Sequence, residues 1–161
     1  WKNLWDISDA TTVEWGLSGL TFSNHSHGAT TEDETSMFGT DLTFKWRPTV
    51  DGKSTSFMWS TEYIYKDRSG STDSTLDGLT SFVRYQTNQR WYLQAQYESL
   101  SDQDNSANDV SGYSFLVAYI PTEFSSIRAQ YDSFDDGQAK RDRRFLMQLN
   151  ISIGAHPAHM Y

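Results

Sequence analysis

Hydrophobic and polar side chains alternate with a period of two residues along most of this 161-residue chain. In the stretch 38–46, for example, Phe38, Leu42 and Phe44 alternate with polar positions. Successive side chains of a β-strand point to opposite faces, so this pattern is typical of strands with one apolar and one polar face. The sequence predicts nine strands, at residues 1–8, 12–24, 35–48, 56–67, 77–87, 90–101, 111–121, 125–135 and 142–154. We therefore expect an all-β fold.

The connections between the predicted strands alternate in length. Short turns are expected near residues 9–11, 50–53, 87–89 and 121–123, and longer polar segments at 24–34, 67–77, 101–109 and 135–141. This alternation is typical of an antiparallel up-and-down meander with one smooth rim and one rim of longer loops. Most of the predicted strands have about 10–13 residues, whereas soluble domains mostly use about five or six. Such lengths match tilted strands that cross a membrane, which need about 9–11 residues.

A closed barrel of such strands can place its apolar side chains inside, as lipocalins do, or outside, as outer-membrane barrels do. Aromatic residues make up 15% of the chain. Trp and Tyr collect at the boundary between water and hydrocarbon, whereas a soluble core favours Val, Leu and Ile, so the composition favours the transmembrane β-barrel. The residues expected to face lipid or to form aromatic girdles are Trp15, Phe44, Trp46, Phe57, Trp59, Tyr63, Trp91, Tyr119, Leu149 and Ile151.

The alternate positions carry charges of both signs among Gln, Ser and Thr, as a hydrated lumen would. The charges expected to face the lumen are Asp41, Lys45, Arg47, Glu62, Lys66, Arg84, Glu98, Arg128 and Asp132. Such charges either pair across strands or set the solute preference of a pore. The strand number decides between these roles, because about eight strands enclose only side chains and 16–18 leave an aqueous channel.

Charge and composition exclude other classes of protein. The net charge is −8, whereas nucleic-acid binding requires a basic face. The chain has no cysteine, which excludes a disulfide framework and thiolate chemistry. Its longest apolar run, residues 115–120, is far shorter than the roughly 20 residues of a membrane-spanning helix.

The predicted strand number is odd, whereas bacterial single-chain barrels have even numbers of strands. An open sheet edge in lipid would leave backbone groups without hydrogen bonds, which is costly. We therefore expect residues 1–161 to be one segment of an outer-membrane β-barrel that lacks upstream strands or pairs with a partner chain. The alternative is an eight-stranded barrel in which residues 1–8 form a periplasmic tail.

Three segments resemble a family of Gram-negative outer-membrane proteins that is often grouped with TonB-dependent or zinc-regulated receptors. The first segment is Tyr119–Tyr131, with the sequence YIPTEFSSIRAQY. The second is Gly39–Pro48, GTDLTFKWRP, followed by Trp59–Tyr63, WSTEY. The third is the ending GAHPAHMY at 154–161, which keeps the family's histidine spacing but has Pro157, Met160 and Tyr161 where the family has Gly, Lys and Phe. The resemblance implies a bacterial outer-membrane location and a barrel fold. It covers the C-terminal half of the family's length.

Two histidine pairs are candidates for metal binding, since imidazole is a common ligand of transition metals. His25 and His27 stand at i and i+2 in a long loop, and His156 and His159 lie in the ending that resembles the family. Each pair lacks the third and fourth ligands of an ordinary zinc site. We therefore expect no cofactor, with Zn or another divalent cation as the alternative. The chain has no Gly-x-Ser-x-Gly motif or glycine-rich phosphate loop, so we expect it not to be an enzyme.

These observations favour a porin-like or receptor-like barrel that takes part in passive or energised solute transport across the outer membrane. The alternatives are a small structural or adhesive barrel with a plugged lumen and a soluble lipocalin-like ligand-binding barrel. The expected partners are the lipid bilayer with its lipopolysaccharide, the barrel-assembly machinery, and further strands or a partner chain.

Overall fold

The computed structural model describes residues 1–24, 33–48, 54–70, 73–105, 109–137 and 141–153. These residues form nine strands: β1 (Lys2–Ser8), β2 (Thr11–Asn24), β3 (Asp33–Trp46), β4 (Ser56–Ser69), β5 (Ser74–Gln86), β6 (Trp91–Asp102), β7 (Val110–Thr122), β8 (Ser125–Asp135) and β9 (Asp142–Ile151). All neighbouring strands are antiparallel, and their order in the single sheet is their order in the chain. The predicted all-β fold and up-and-down topology are confirmed.

The strands β2–β9 are long, and their pairing is continuous except between β7 and β8. β2 and β3 pair over 14 residues, from Thr11 opposite Trp46 to Asn24 opposite Asp33. An interruption in the β7–β8 register falls between Tyr119 and Thr122 and contains Pro121. Proline has no backbone N–H to donate to the neighbouring strand, which explains why the pairing shifts there.

The short turns lie at one rim of the sheet. β1 and β2 are joined by two residues, 9–10, and β7 and β8 by 123–124. Between β5 and β6, the side-chain oxygen of Asn88 accepts hydrogen bonds from the backbone N–H groups of Arg90 and Trp91, at 2.9 and 3.2 Å. Asn is a common turn residue because its side chain bonds to the backbone two residues on. The turn predicted at 50–53 lies outside the described residues.

The sheet is not closed in the described part of the chain. There β1 pairs with β2 alone, and β9 pairs with β8 alone, so each leaves one edge unpaired. The alternative in which residues 1–8 form a tail is wrong, because Lys2–Ser8 form a strand that pairs with β2, with one shift of register between Asp6 and Ser8. No helix among the described residues is long and apolar enough to cross a membrane.

The described residues form a single layer with almost no hydrophobic core. Ala118, at 6% exposure, is their one buried apolar residue. Large apolar side chains such as Phe115 and Met147 are exposed instead. An apolar sheet face is normally covered by a second layer. The exposed apolar side chains of this sheet therefore require a covering that the described residues do not supply.

Candidate functional site: the two faces of the sheet

The pairing register shows which side chains share a face, because directly opposed residues of antiparallel strands point to the same side. One row of opposed residues crosses all nine strands and contains only apolar or aromatic side chains. This row is Trp5, Val13, Phe44, Trp59, Val83, Ala95, Phe115, Tyr131 and Phe145. We call the face that contains this row the apolar face and the opposite one the polar face.

All ten residues expected to face lipid lie on the apolar face. Phe44 and Trp59 belong to the row above, and the other eight follow from the same registers: Trp15, Trp46, Phe57, Tyr63, Trp91, Tyr119, Leu149 and Ile151. The structure therefore brings the whole set together on one surface. Contact with lipid remains a prediction.

Aromatic rings flank the apolar face at two levels. On β7, Tyr119 and Tyr113 lie at the two ends of the apolar stretch, with Val117 and Phe115 between them. Trp91 of β6 lies beside Tyr119, with 4.7 Å between the ring centroids. Toward the rim of longer connections the same face becomes polar. On β3 to β8 its residues there are Ser36, Asp67, Asp77, Ser101, Ser111 and Asp135.

Nine charges are expected to face a lumen, on the other side of the sheet. Eight of them lie within strands, and the registers place all eight on the polar face: Asp41, Lys45, Glu62, Lys66, Arg84, Glu98, Arg128 and Asp132. Arg47 follows directly after β3, where its backbone N–H donates to the carbonyl of Ala10 at 2.7 Å. The existence of a lumen in front of this face remains a prediction.

The polar face is ordered by charge sign. Asp41 lies opposite Glu62, Glu62 opposite Thr80, and Thr80 opposite Glu98, which forms an acidic row across β3–β6. Lys45 and Arg84 flank Met58 in a second, basic row. The basic row is four residues nearer to the short turns, which is about 13 Å along a strand at about 3.3 Å per residue.

A chain of side-chain hydrogen bonds joins the two rows along β6. Arg84 donates from Nε and Nη2 to Oε1 of Gln94 at 2.9 and 2.8 Å. Gln94 donates to Gln96 at 3.2 Å, and Gln96 donates to the carboxylate of Glu98 at 2.6 Å. Residues at i and i+2 share a strand face, so three consecutive alternate positions suffice for this ladder. We call it the glutamine ladder.

A second polar cluster ties β1 to β2 and β3. Lys2 Nζ lies 2.6 Å from Oε1 of Glu14 and 3.4 Å from Oδ1 of Asp41. Lys45 lies 3.9 Å from the other oxygen of Glu14. A Cβ atom at Gly16 would overlap the carboxylate of Asp41, so glycine provides the space that this carboxylate occupies. Lys2, Glu14 and the ladder glutamines were not predicted as functional residues, although the Gln94-x-Gln96-x-Glu98 spacing is visible in the sequence.

The polar face is the concave one. Among the described residues, all buried positions except Ser133 lie on it: Gly16, Asp33, Thr35, Gly39, Thr43, Gly112, Ala118 and Asp132. A cavity of about 370 Å³ opens on this face and is lined from five adjacent strands, β4–β8. One cavity bounded by five strands of a single layer requires the sheet to curve toward that side.

The metal-binding candidates are the two histidine pairs. His25, His27, His156 and His159 all lie outside the described residues. Within the described residues, no group of three or more His, Cys, Asp or Glu side chains is arranged to hold a metal ion. A role for Zn or another divalent cation remains a prediction, as does the absence of enzymatic activity.

Comparisons with known proteins leave the family open. No protein family matches the chain, and no solved structure matches it. One relative is an uncharacterized protein of Aquifex aeolicus (strain VF5), which is 28% identical over 148 residues. The match covers 79% of this chain and 31% of the relative, so the chain spans about a third of that protein's length. The chain is thus defined by its architecture, a curved antiparallel meander with one apolar and one polar face.

Proposed function

We propose that this chain forms part of a β-barrel in the bacterial outer membrane, and that its polar face lines a path for solutes. The observation that carries the proposal is the inverted relation between polarity and exposure. Phe115 on the apolar face is 53% exposed, whereas Asp132 on the polar face is 5% exposed. Water-soluble proteins bury apolar side chains and expose charged ones. A barrel in lipid does the reverse, with an apolar belt outside and a polar interior.

The dimensions of the apolar face support this proposal. On β4, the apolar-face positions from Phe57 to Tyr65 cover nine residues, and a tilted strand needs about 9–11 residues to cross the hydrocarbon. Outer-membrane barrels have an apolar band about 25 Å tall with aromatic girdles at both interfaces. Phe57 and Trp59 at one end and Tyr63 and Tyr65 at the other provide rings at both levels.

The two unpaired sheet edges support a larger assembly. Backbone N–H and C=O groups at an open edge have no water to bond in hydrocarbon, and each such group costs several kcal/mol. β1 and β9 therefore require further strands, either from the same protein or from a partner chain. The match to 31% of the Aquifex protein is compatible with strands from the same protein.

Most of the predicted lumen charges on the polar face form no ion pair in the described part of the chain, which favours a path for solutes rather than a plugged interior. Of the nine predicted lumen charges, Asp41 and Lys45 take part in ion pairs. In the described part of the chain the other seven form no ion pair with one another or with any other residue. A permeating ion or polar solute can bind to charges that are not neutralised by a neighbour.

The test uses the full-length natural protein, purified in detergent and incorporated into planar lipid bilayers. We expect discrete conductance steps, together with faster migration of the unheated protein on gels, as compact barrels show. The variant R84Q removes a positive charge from the basic row and should raise the ratio of cation to anion permeability. The matched control R143Q removes the same charge from the apolar-face side of β9 and should leave the ratio unchanged.

The outcomes separate the three functions that the sequence leaves open. A protein that inserts but never conducts would indicate a structural or adhesive barrel with a plugged lumen. A protein that remains soluble and monomeric without detergent would indicate a soluble ligand-binding fold. Either result would overturn the proposed transport function.

A further inference from the structure

The cavity on the polar face is lined in large part by apolar side chains, although the face is otherwise polar. Ile64 and Leu100, at 39% and 45% exposure, project from β4 and β6 on the side of the acidic row away from the short turns. Val110 of β7 lies opposite Leu100 and extends the same wall. The volume of about 370 Å³ lies within the range of about 300–1,000 Å³ that is typical of small-molecule sites.

One aromatic ring completes the apolar wall. Phe134 of β8 lies opposite Gly112 of β7, and its ring occupies the space that a Cβ atom at Gly112 would need. Any side chain larger than hydrogen at position 112 would have to displace the ring. The glycine therefore allows the Phe134 ring to lie against position 112, where it forms the β8 end of the cavity lining.

Two carboxylates border this apolar pocket. Glu62 and Glu98 both line the cavity and are separated by the single strand β5, so their backbones are about 10 Å apart at about 4.8 Å per strand spacing. Neither forms an ion pair within the described residues. The glutamine ladder holds Glu98 from one side, since Gln96 donates to its Oε1 at 2.6 Å. Thr80 lies between the two carboxylates and adds a hydroxyl group to the lining.

We infer that this cavity binds an organic cation: a molecule with one ammonium group and a compact apolar body, such as an arylalkylamine. The ammonium group bonds to Glu62 and Glu98, since hydrogen bonds between ionised partners are about twice as strong as neutral ones. The apolar body packs on Ile64, Leu100 and Phe134, which form the aliphatic and aromatic part of the lining. This inference rests on the proposed function, because it names the class of solute that the polar face selects.

Other ligand classes fit the cavity less well. An anion would meet two carboxylates with no cationic side chain among the lining residues. A hard divalent cation such as Ca²⁺ takes six or more oxygen ligands, and the described residues contain no group of three or more His, Cys, Asp or Glu side chains that could hold a metal ion. A sugar would find few polar partners, because the lining beyond the acidic row is mainly aliphatic and aromatic.

The experiment measures binding of three probes to the full-length protein in a non-ionic detergent by isothermal titration calorimetry. The probes are phenethylammonium, the neutral 2-phenylethanol and the anionic phenylacetate, which share an aromatic body and differ in charge. We expect phenethylammonium to bind at least about tenfold more tightly than 2-phenylethanol, the ratio that one charge-assisted hydrogen bond provides. Phenylacetate should show no saturable binding.

Two pairs of variants locate the site. The double variant E62Q/E98Q should abolish the preference for the cation. The double variant D6N/D9N removes the same charge near the first hairpin, outside the cavity lining, and should preserve the preference. In the second pair, Gly78→Val extends side-chain atoms into the cavity, because a Cβ at Gly78 has its nearest neighbours at 3.8 Å. Gly19→Val adds the same atoms on the apolar face, with its neighbour also at 3.8 Å, and is the matched control.

Each outcome supports or overturns the inference. Loss of cation binding in E62Q/E98Q and G78V, with both controls intact, supports it. Equal binding of the cation and the alcohol, or an unchanged preference in E62Q/E98Q, overturns it. The bilayer conductance measured on the same preparation distinguishes this failure from failure of the proposed function. If the protein conducts but binds the three probes equally, the inferred cation site is wrong and the proposed transport function stands. If it prefers the cation but does not conduct, the transport function is wrong.

Discussion

The two faces of the sheet share one backbone and one register, yet their burial is the reverse of what their polarity would give in water. The apolar face carries rings and aliphatic side chains in a row across nine strands, and five of the nine, among them Phe115 and Phe145, are exposed. The polar face carries the acidic and basic rows and nearly all the buried positions. The comparison shows that alternation along a strand defines two faces without deciding which of them is concave. Curvature decides that, and here the sheet curves toward its polar side.

The largest expected effect comes from placing a charge on each face at adjacent positions of β7. Phe115→Arg inserts a cation into the apolar row and should cost about 2–4 kcal/mol of the free energy of unfolding in lipid, the range for Arg near a bilayer midplane. Ser114→Arg places the same side chain on the polar face opposite Gln96 and Asp132, and should cost little. Urea unfolding of the full-length protein in vesicles, followed by Trp fluorescence, measures both. Equal losses at the two positions would mean that the assignment of the faces to lipid and lumen is wrong.

A smaller effect should follow from filling the space beneath Phe134. Gly112→Leu forces the ring off the sheet, and overpacking of this kind costs about 1–3 kcal/mol. Gly78→Ala adds a methyl group to the same face at ordinary contact distance and is the matched control. The same unfolding assay compares the two variants. If Gly112→Leu is as stable as Gly78→Ala, the ring does not lie against position 112.

The smallest effect separates two ion pairs that differ in burial. Arg68 of β4 bonds to Asp33 of β3 at 2.6 Å, and the Asp33 side chain is 10% exposed. Replacing Arg68 with Met should cost about 0.2–1 kcal/mol, the usual range for a partly exposed pair. Arg144 pairs with Asp142 on its own strand, with both side chains more than half exposed. Arg144→Met should therefore leave the unfolding midpoint unchanged, and a larger loss there than at Arg68 would contradict the role of burial.

Much of the fold could be predicted from the sequence, because alternation is a local signal. The nine strands and the division of residues such as Phe44 and Lys45 between the faces follow from a period of two, and the antiparallel order follows from the alternating lengths of the connections. The predicted strand ends agree with the structure less closely than the predicted strand positions do. β5 begins at Ser74, three residues before the predicted start, since a polar stretch can pair as a strand when its neighbour is already in register.

The cavity and the polar contacts could not be predicted, because they depend on registers between strands. Phe134 and Gly112 are 22 residues apart, and only the β7–β8 pairing places the ring over the glycine. Glu62 and Glu98 likewise become neighbours across β5 only through two successive registers. The described strands do not close the sheet into a barrel, and the strands expected to complete it lie outside them. Local alternation contains no information about what pairs with the first and last edges.

The open edges have a consequence for how this sheet can be completed. Neighbouring strands alternate in direction, so β1 and β9, the first and ninth, run the same way. If these two edges met, they would form a parallel pair. Two copies related by rotation about the barrel axis would also meet at parallel seams, because rotation about that axis preserves strand direction. A ring that is antiparallel throughout therefore requires an odd number of additional strands between β9 and β1, which a second copy in the same orientation cannot supply.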